Sequence, residues 1–193
     1  MKILVSGGTK SGKSSYVFKG FASKKMLYYC SSGELSQDST WTHFKNQSQS
    51  LRPFQWSVLE GCRDMDKVFE SGESSDGLVF DCLTLWLSWS FQDWVKTLSY
   101  DITLPKALNE IDHLISLIQS FSKPLILITN EVGAGVVPSH PNARLFRNLL
   151  GTLNQKASDV CDTQIQMFHG QPLMIKPELK AFSSEALSKI LQA

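Results

Sequence analysis

At 193 residues the chain is long enough to bury a full core in one domain without help from metals or disulfides. Its composition, 42% apolar and 19% charged, is that of a globular protein, and a net charge of +1 gives no bulk electrostatic case for nucleic acid or a membrane surface. Four widely spaced cysteines (Cys30, Cys62, Cys82, Cys161) with no C-x-x-C pair argue against a zinc site or a disulfide frame, and for thiols in a reducing compartment.

Residues 1–6 (MKILVS) are a short apolar run with the character of a buried strand. Directly after it comes Gly7-Gly8-Thr9-Lys10-Ser11-Gly12-Lys13-Ser14, which reads G-x-x-x-x-G-K-S. The outer glycines permit backbone angles that let successive N–H groups point into one concavity. A helix over 14–21 would add the partial positive charge of its N-terminus to that cradle. Lys13 would reach the terminal phosphates and the Ser14 hydroxyl would ligate Mg²⁺. The pattern therefore predicts a nucleoside triphosphate site. A Gly-rich strand-to-helix turn with no ligand is the alternative. The run before it is too short for a signal peptide, and the longest apolar-rich stretch, 77–91, is too short and too interrupted to span a bilayer. A cytoplasmic protein is expected.

Residues 26–30 (MLYYC) form a second strand candidate, ending in the polar turn Ser31-Ser32-Gly33. The stretch 37–50 is polar, with Trp41 and Phe44 three apart, and predicts a thin surface helix ended by Arg52-Pro53. A strand over 54–59 closes at Glu60-Gly61, and a helix follows over 62–70. Residues 78–81 (LVFD) are a continuous apolar run ending in a carboxylate, continued by a Trp-rich helix over 82–94. Leu108, Ile111, Ile115 and Ile118 mark an amphipathic helix over 104–121. Residues 124–129 (PLILIT) are a buried strand with Asn130-Glu131 at its end. A Gly/Pro loop over 133–142, a helix over 143–158 and a last strand over 164–168 complete the pattern. Strands alternating with helices predict a parallel sheet covered on both faces, with ligands at the carboxyl ends of its strands. The polar groups at those ends are 7–14, 31–33, Glu60, Asp81 and Asn130-Glu131.

Asp81 ends a buried strand where phosphate-loop enzymes hold Mg²⁺, or else caps the next helix. Thr84 either supports it or fills the core. Glu131 is placed to act as a base or to position water, or else is a turn residue. Only four arginines occur. Arg144 and Arg147 share a helix face and could grip a phosphate, a neighbouring subunit or solvent. The four histidines show no metal-ligand spacing, and His113 is expected at the surface.

The stretches 5–14 (VSGGTKSGKS), 52–56 (RPFQW), 80–87 (FDCLTLWL), 129–138 (TNEVGAGVVP), 144–147 (RLFR), 153–155 (LNQ) and 170–176 (GQPLMIK) occur in a fixed order. Over 2–176 the chain resembles the bifunctional adenosylcobinamide kinase / adenosylcobinamide-phosphate guanylyltransferase family of cobalamin assembly. The resemblance implies an α/β protein with a mostly parallel sheet, a RecA-like P-loop nucleoside triphosphatase fold and a homotrimer, and the length predicts one domain over 1–193. It implies phosphorylation of adenosylcobinamide with ATP or GTP, then transfer of GMP from GTP onto the new phosphate through a guanylylated histidine. Taken with the strand-end reading, it places nucleotide binding at Gly7, Gly8, Thr9, Lys10, Ser11, Gly12, Lys13, Ser14, Ser31, Ser32, Gly33, Arg52 and Glu60. Catalysis falls to Lys13, Asp81 and Glu131, and the Mg²⁺ to Ser14 and Asp81.

The family's histidine nucleophile stands four residues before the Arg-Pro pair, where this chain has Ser48. A serine hydroxyl with no adjacent base is a poor nucleophile at neutral pH. His43 would lie about 140° away around a helix, and Lys45 would need a lowered pKa. Guanylyl transfer is therefore expected to be weakened, rerouted or lost while nucleotide binding survives. A second class is a nucleotide-binding regulatory module of the same fold without catalysis. A GTPase switch would carry N-K-x-D, a motor on nucleic acid a basic channel, and a nucleoside-monophosphate kinase an arginine-rich lid. None of the three is present in the sequence.

Overall fold

The computed structural model describes residues 1–31, 46 and 49–176. Seven strands form one sheet: β1 (Lys2–Gly7), β2 (Leu27–Cys30), β3 (Ser57–Glu60), β4 (Leu78–Asp81), β5 (Leu125–Ile128), β6 (Thr163–Phe168) and β7 (Gln171–Lys176). Their order across the sheet is β3-β2-β4-β5-β1-β6-β7. All neighbours are parallel except β6 and β7. The helices are α1 (Lys13–Gly20), α2 (Met65–Gly72), α3 (Leu83–Thr97), α4 (Tyr100–Ser120) and α5 (Pro141–Val160).

The central strands are buried on both faces, which is why they read as unbroken apolar runs; every residue of β5 is buried. Successive residues serve opposite faces. On one face α1 packs, through Val17 and Phe18, with Val5, Tyr28, Trp56, Val79, Ile126, Ile128 and Met167, and Leu85 of α3 joins them. On the other, Leu4, Tyr29, Phe80, Leu125 and Leu127 lie under α2 to α5. Helix α3 buries Leu83, Trp86, Leu87, Phe91 and Trp94, which is apolar surface over more than one stripe because it is covered by sheet and helices together. The register sets Cys30 beside Asp81 and beside Glu60, Asp81 beside Ile128, and Val5 beside Ile128, so these strands end along one edge.

Four expectations shift. Helix α2 starts at Met65 because the Asp64 side chain accepts the Lys67 N–H at 3.2 Å and caps it there. Helix α4 starts at Tyr100 and carries Pro105 inside it, since burying Thr103 extends its apolar face by a turn and the ring removes one hydrogen bond near an exposed end. Strand β3 begins only at Ser57, after a turn in which the Trp56 N–H donates to the Pro53 carbonyl at 3.1 Å. Strand 164–168 is not the last: β7 returns antiparallel to it through His169-Gly170, both at positive φ as a two-residue hairpin of this hand requires. That turn lacks the usual Asn-Gly or Asp-Gly signal, and Pro172 within β7 is tolerated because β7 is an edge strand. The helix expected over 37–50 falls mostly outside the described residues. Among the described residues no helix is long and apolar enough to cross a membrane.

Candidate active site

Strand β1 delivers the chain to Gly7, and the loop to Gly12 feeds α1. Gly7 has φ +149° and Gly12 φ +98°. A Cβ on Gly7 would lie 2.7 Å from the Met167 carbonyl oxygen, and one on Gly12 would lie 3.0 Å from the Gly170 Cα. The loop is thus pressed onto the β6–β7 turn, whose Gly170 N–H donates to the Ser11 carbonyl at 2.9 Å. Gly8, Thr9 and Lys10 form the exposed rim, whereas Ser11 and Lys13 are buried. Lys13 Nζ donates to the carbonyls of Gly7 (3.0 Å) and Gly8 (2.7 Å). Burial pushes its pKa below the ordinary lysine value, with the neighbouring Cys82 and Asp81 acting in the other direction. The Ser11 hydroxyl is buried with no hydrogen-bond partner. A cradle that a Cβ would fill, lined by one buried cation and an unsatisfied hydroxyl, is suited to a polyphosphate.

Asp81 ends β4 across from the loop. Its Oδ2 accepts from the Ser14 hydroxyl at 2.8 Å and from the Tyr28 hydroxyl at 2.7 Å. Side chains from α1 and β2 therefore converge on one carboxylate oxygen of β4. Burial, then the charge of Asp81, pushes the Tyr28 phenol well above its usual pKa, so it stays a donor. Its ring is enclosed by Phe18 (5.7 Å between centroids), Trp56 (6.3 Å) and the Arg52 guanidinium, 4.0 Å above the ring. Behind Asp81, the Ser31 N–H donates to the Asp81 carbonyl at 3.1 Å. The Ser31 hydroxyl donates to the Cys82 carbonyl at 3.0 Å and accepts the Cys82 N–H at 3.1 Å.

The end of β5 adds a third group. The Glu131 N–H donates to the Gly7 carbonyl at 3.4 Å, and its Oε1 accepts the Gly133 N–H at 3.0 Å. The backbone before it is tied down by a hydroxyl–amide network. Thr84 Oγ1 accepts the Asn130 N–H (2.9 Å) and lies 3.3 Å from Thr129 Oγ1. Thr129 donates to Asn154 Oδ1 (2.7 Å), and Asn154 Nδ2 donates to the Asn130 carbonyl (3.2 Å). Arg147 donates to the Gly133 and Gly135 carbonyls, and Arg144 to those of Pro138 and Ser139.

The structure joins the Gly7–Ser14 loop to Asp81 through Ser14 and ties Glu131 to the loop through its backbone, with its carboxylate on the Gly133 N–H, and places the rest differently. Ser31, expected to bind nucleotide, is 1% exposed and spends its groups on the backbone that carries Asp81. Glu60 ends β3 at the sheet edge, with β2 between it and β4. Arg52 rests on Tyr28 instead of on the loop. Arg144 and Arg147 hold the loop after β5. Ser32, Gly33, His43, Lys45 and Ser48 lie outside the described residues. Sequence reasoning missed Tyr28, Thr129 and Asn154 as parts of the site. Only the pairing of β2 with β4 would have found Tyr28. No cluster of three or more His, Cys, Asp or Glu suited to a metal exists among the described residues. The donor set at the loop, one hydroxyl and one carboxylate, fits a hard cation that takes its other ligands from phosphate and water.

The chain is similar to known proteins in sequence and in fold. The bifunctional adenosylcobalamin biosynthesis protein CobU of Escherichia coli is 28% identical over 162 residues, covering 81% of this chain and 89% of that protein. Its counterpart in Salmonella typhimurium is 26% identical over 182 residues, covering 91% and 100%. Among solved structures, an ATPase from the type III secretion system of pathogenic bacteria superposes with a TM-score of 0.50 at 11% identity. It covers 86% of this chain, which spans about half (51%) of that ATPase, and the likeness is one of fold: a RecA-like P-loop sheet. The family model described as cobinamide kinase / cobinamide phosphate guanyltransferase matches residues 3–175. The chain belongs to the cobinamide kinase / cobinamide phosphate guanyltransferase family.

Proposed function

We propose that the chain phosphorylates a hydroxyl of adenosylcobinamide with ATP or GTP and, as a second activity, transfers GMP from GTP onto the phosphate formed, a step in cobalamin assembly. The observation that carries the kinase half is the placement of the Ser14 hydroxyl 2.8 Å from Asp81 Oδ2, beside the Gly7–Ser14 cradle. In this reading the loop N–H groups and the α1 N-terminus bind the phosphate oxygens, and Lys13 leaves the Gly7 and Gly8 carbonyls for the terminal phosphates. Ser14 and Asp81 would hold Mg²⁺, which when bound neutralises charge on the transferring phosphoryl group. Glu131, pinned to Gly7 through its backbone, is the base or hydroxyl-orienting group for the corrinoid alcohol. Positioning and charge neutralisation supply most of the acceleration.

For the guanylyl half, Ser48 stands in place of the family's histidine, and a slow or rerouted transfer is the expected consequence. The homotrimer belongs to the same proposal. Mass analysis of adenosylcobinamide incubated with the protein and each triphosphate tests the kinase half. A product heavier by one phosphoryl group, with matching nucleoside diphosphate, is expected; triphosphate binding with neither corrinoid modification nor triphosphate loss would leave only the regulatory-module reading. Labelled GTP followed by denaturing electrophoresis tests the second half, where a stable covalent GMP label at stoichiometric yield would contradict the expected weakening.

A further inference from the structure

We infer that Tyr28 is a positioning residue for divalent-cation binding, holding the Asp81 carboxylate in the orientation it needs as a ligand. The inference rests on the reading of Asp81 and Ser14 as the cation-holding pair. The two parallel strands β2 and β4 place Tyr28 beside Val79, two residues before Asp81 on the same face. The long phenol side chain therefore reaches diagonally along the sheet to the carboxylate at 2.7 Å. The Asp81 side chain is only half-buried at a strand end, so its plane is free to turn unless something grips it. A donor that grips a ligating carboxylate sets its orientation and its affinity for the cation, and Tyr28 grips Oδ2, the oxygen that also accepts from Ser14. Ser14 cannot fill that role, because its hydroxyl is itself wanted by the cation. Tyr28 can, because its ring is fixed by Phe18, Trp56 and Arg52 and is 3% exposed.

The adjacent Tyr29 supplies an internal control. It points to the opposite face and donates to the Cys62 carbonyl at the same distance, 2.7 Å. Loss of either hydroxyl removes one tyrosine hydrogen bond, but only one of the two touches the carboxylate.

The test uses the full chain with a non-hydrolysable ATP analogue and Mn²⁺ as probe, followed by electron paramagnetic resonance. Tyr28→Phe should weaken Mn²⁺ binding in the ternary complex about 10-fold, leave analogue binding in EDTA within about twofold, and add nothing further in an Asp81→Asn background. Tyr29→Phe should leave the Mn²⁺ affinity unchanged. Three results overturn the inference: unchanged Mn²⁺ affinity in Tyr28→Phe, an equal loss in Tyr29→Phe, or a full Tyr28→Phe effect persisting without the Asp81 charge. If Asp81→Asn weakens Mn²⁺ and Tyr28→Phe does not, only this inference fails. Unchanged Mn²⁺ binding in Asp81→Asn would defeat the assignment of Asp81 and this inference with it.

Discussion

The two faces of the sheet divide the labour of the molecule. The face under α2 to α5 is thick: Phe80, Leu87, Ile111, Leu114 and Leu153 are fully buried there. The face under α1 is thin, and its core ends at Lys13, Tyr28, Cys82 and Asp81, so packing grades directly into charge. Tyr28 and Tyr29, neighbours in one strand, show the difference in a single step: one hydroxyl closes a backbone carbonyl, the other holds a carboxylate. The lesson is that stability and chemistry are carried by alternate residues of the same strands.

Substitutions on the two faces should therefore fail in opposite ways. Phe80→Ala on the thick face is expected to cost about 3–5 kcal/mol in chemical denaturation, with triphosphate affinity per folded molecule unchanged. Lys13→Met on the thin face should weaken triphosphate binding about 10²–10³-fold. It should leave the melting temperature unchanged or raised, because a buried charge is removed. A large fall in stability with Lys13→Met would break the comparison. Thr84→Val lies at the junction of the faces and leaves the Asn130 N–H without its acceptor, so it should cost about 1–3 kcal/mol.

The pH dependence sharpens the same contrast. The lowered pKa of Lys13 means that the free protein loses that charge below the ordinary value of 10.5. Triphosphate affinity should fall as pH rises through this lowered value, and Lys13→Arg should lack that alkaline limb. Stability has the opposite sign. Between the folded and unfolded pKa values the unfolded chain binds more protons, so this group favours the fold as pH rises. The smallest effect concerns thiols. Burial pushes Cys82 and Cys161 up to about 12, so at pH 8 a maleimide should label the half-buried Cys30 and Cys62 well before either.

The places of the phosphate loop and Asp81 were legible because each combines a required residue type with a fixed position after an apolar strand, whereas Glu131 was legible only as a polar residue at the end of β5. Helices α3, α4 and α5 were legible from their apolar spacing, with ends displaced where a cap or a buried residue overrode the pattern. Strand β7 was not, because its turn residues and Pro172 give no strand signal, and its place is defined by contact with β6. Ser31 was read as a ligand because a polar turn after a strand looks the same whether it faces nucleotide or backbone. Tyr28 was hidden for a related reason: its partner lies 53 residues away and only strand order brings the two together.

The most direct measurement is a calorimetric titration of the protein, and of Lys13→Met, with the magnesium complexes of ATP and GTP. The account predicts saturable binding of at least one triphosphate to the unaltered chain and none detectable in the variant over the same range. No binding of either triphosphate to the unaltered chain, or equal binding in the variant, would contradict it.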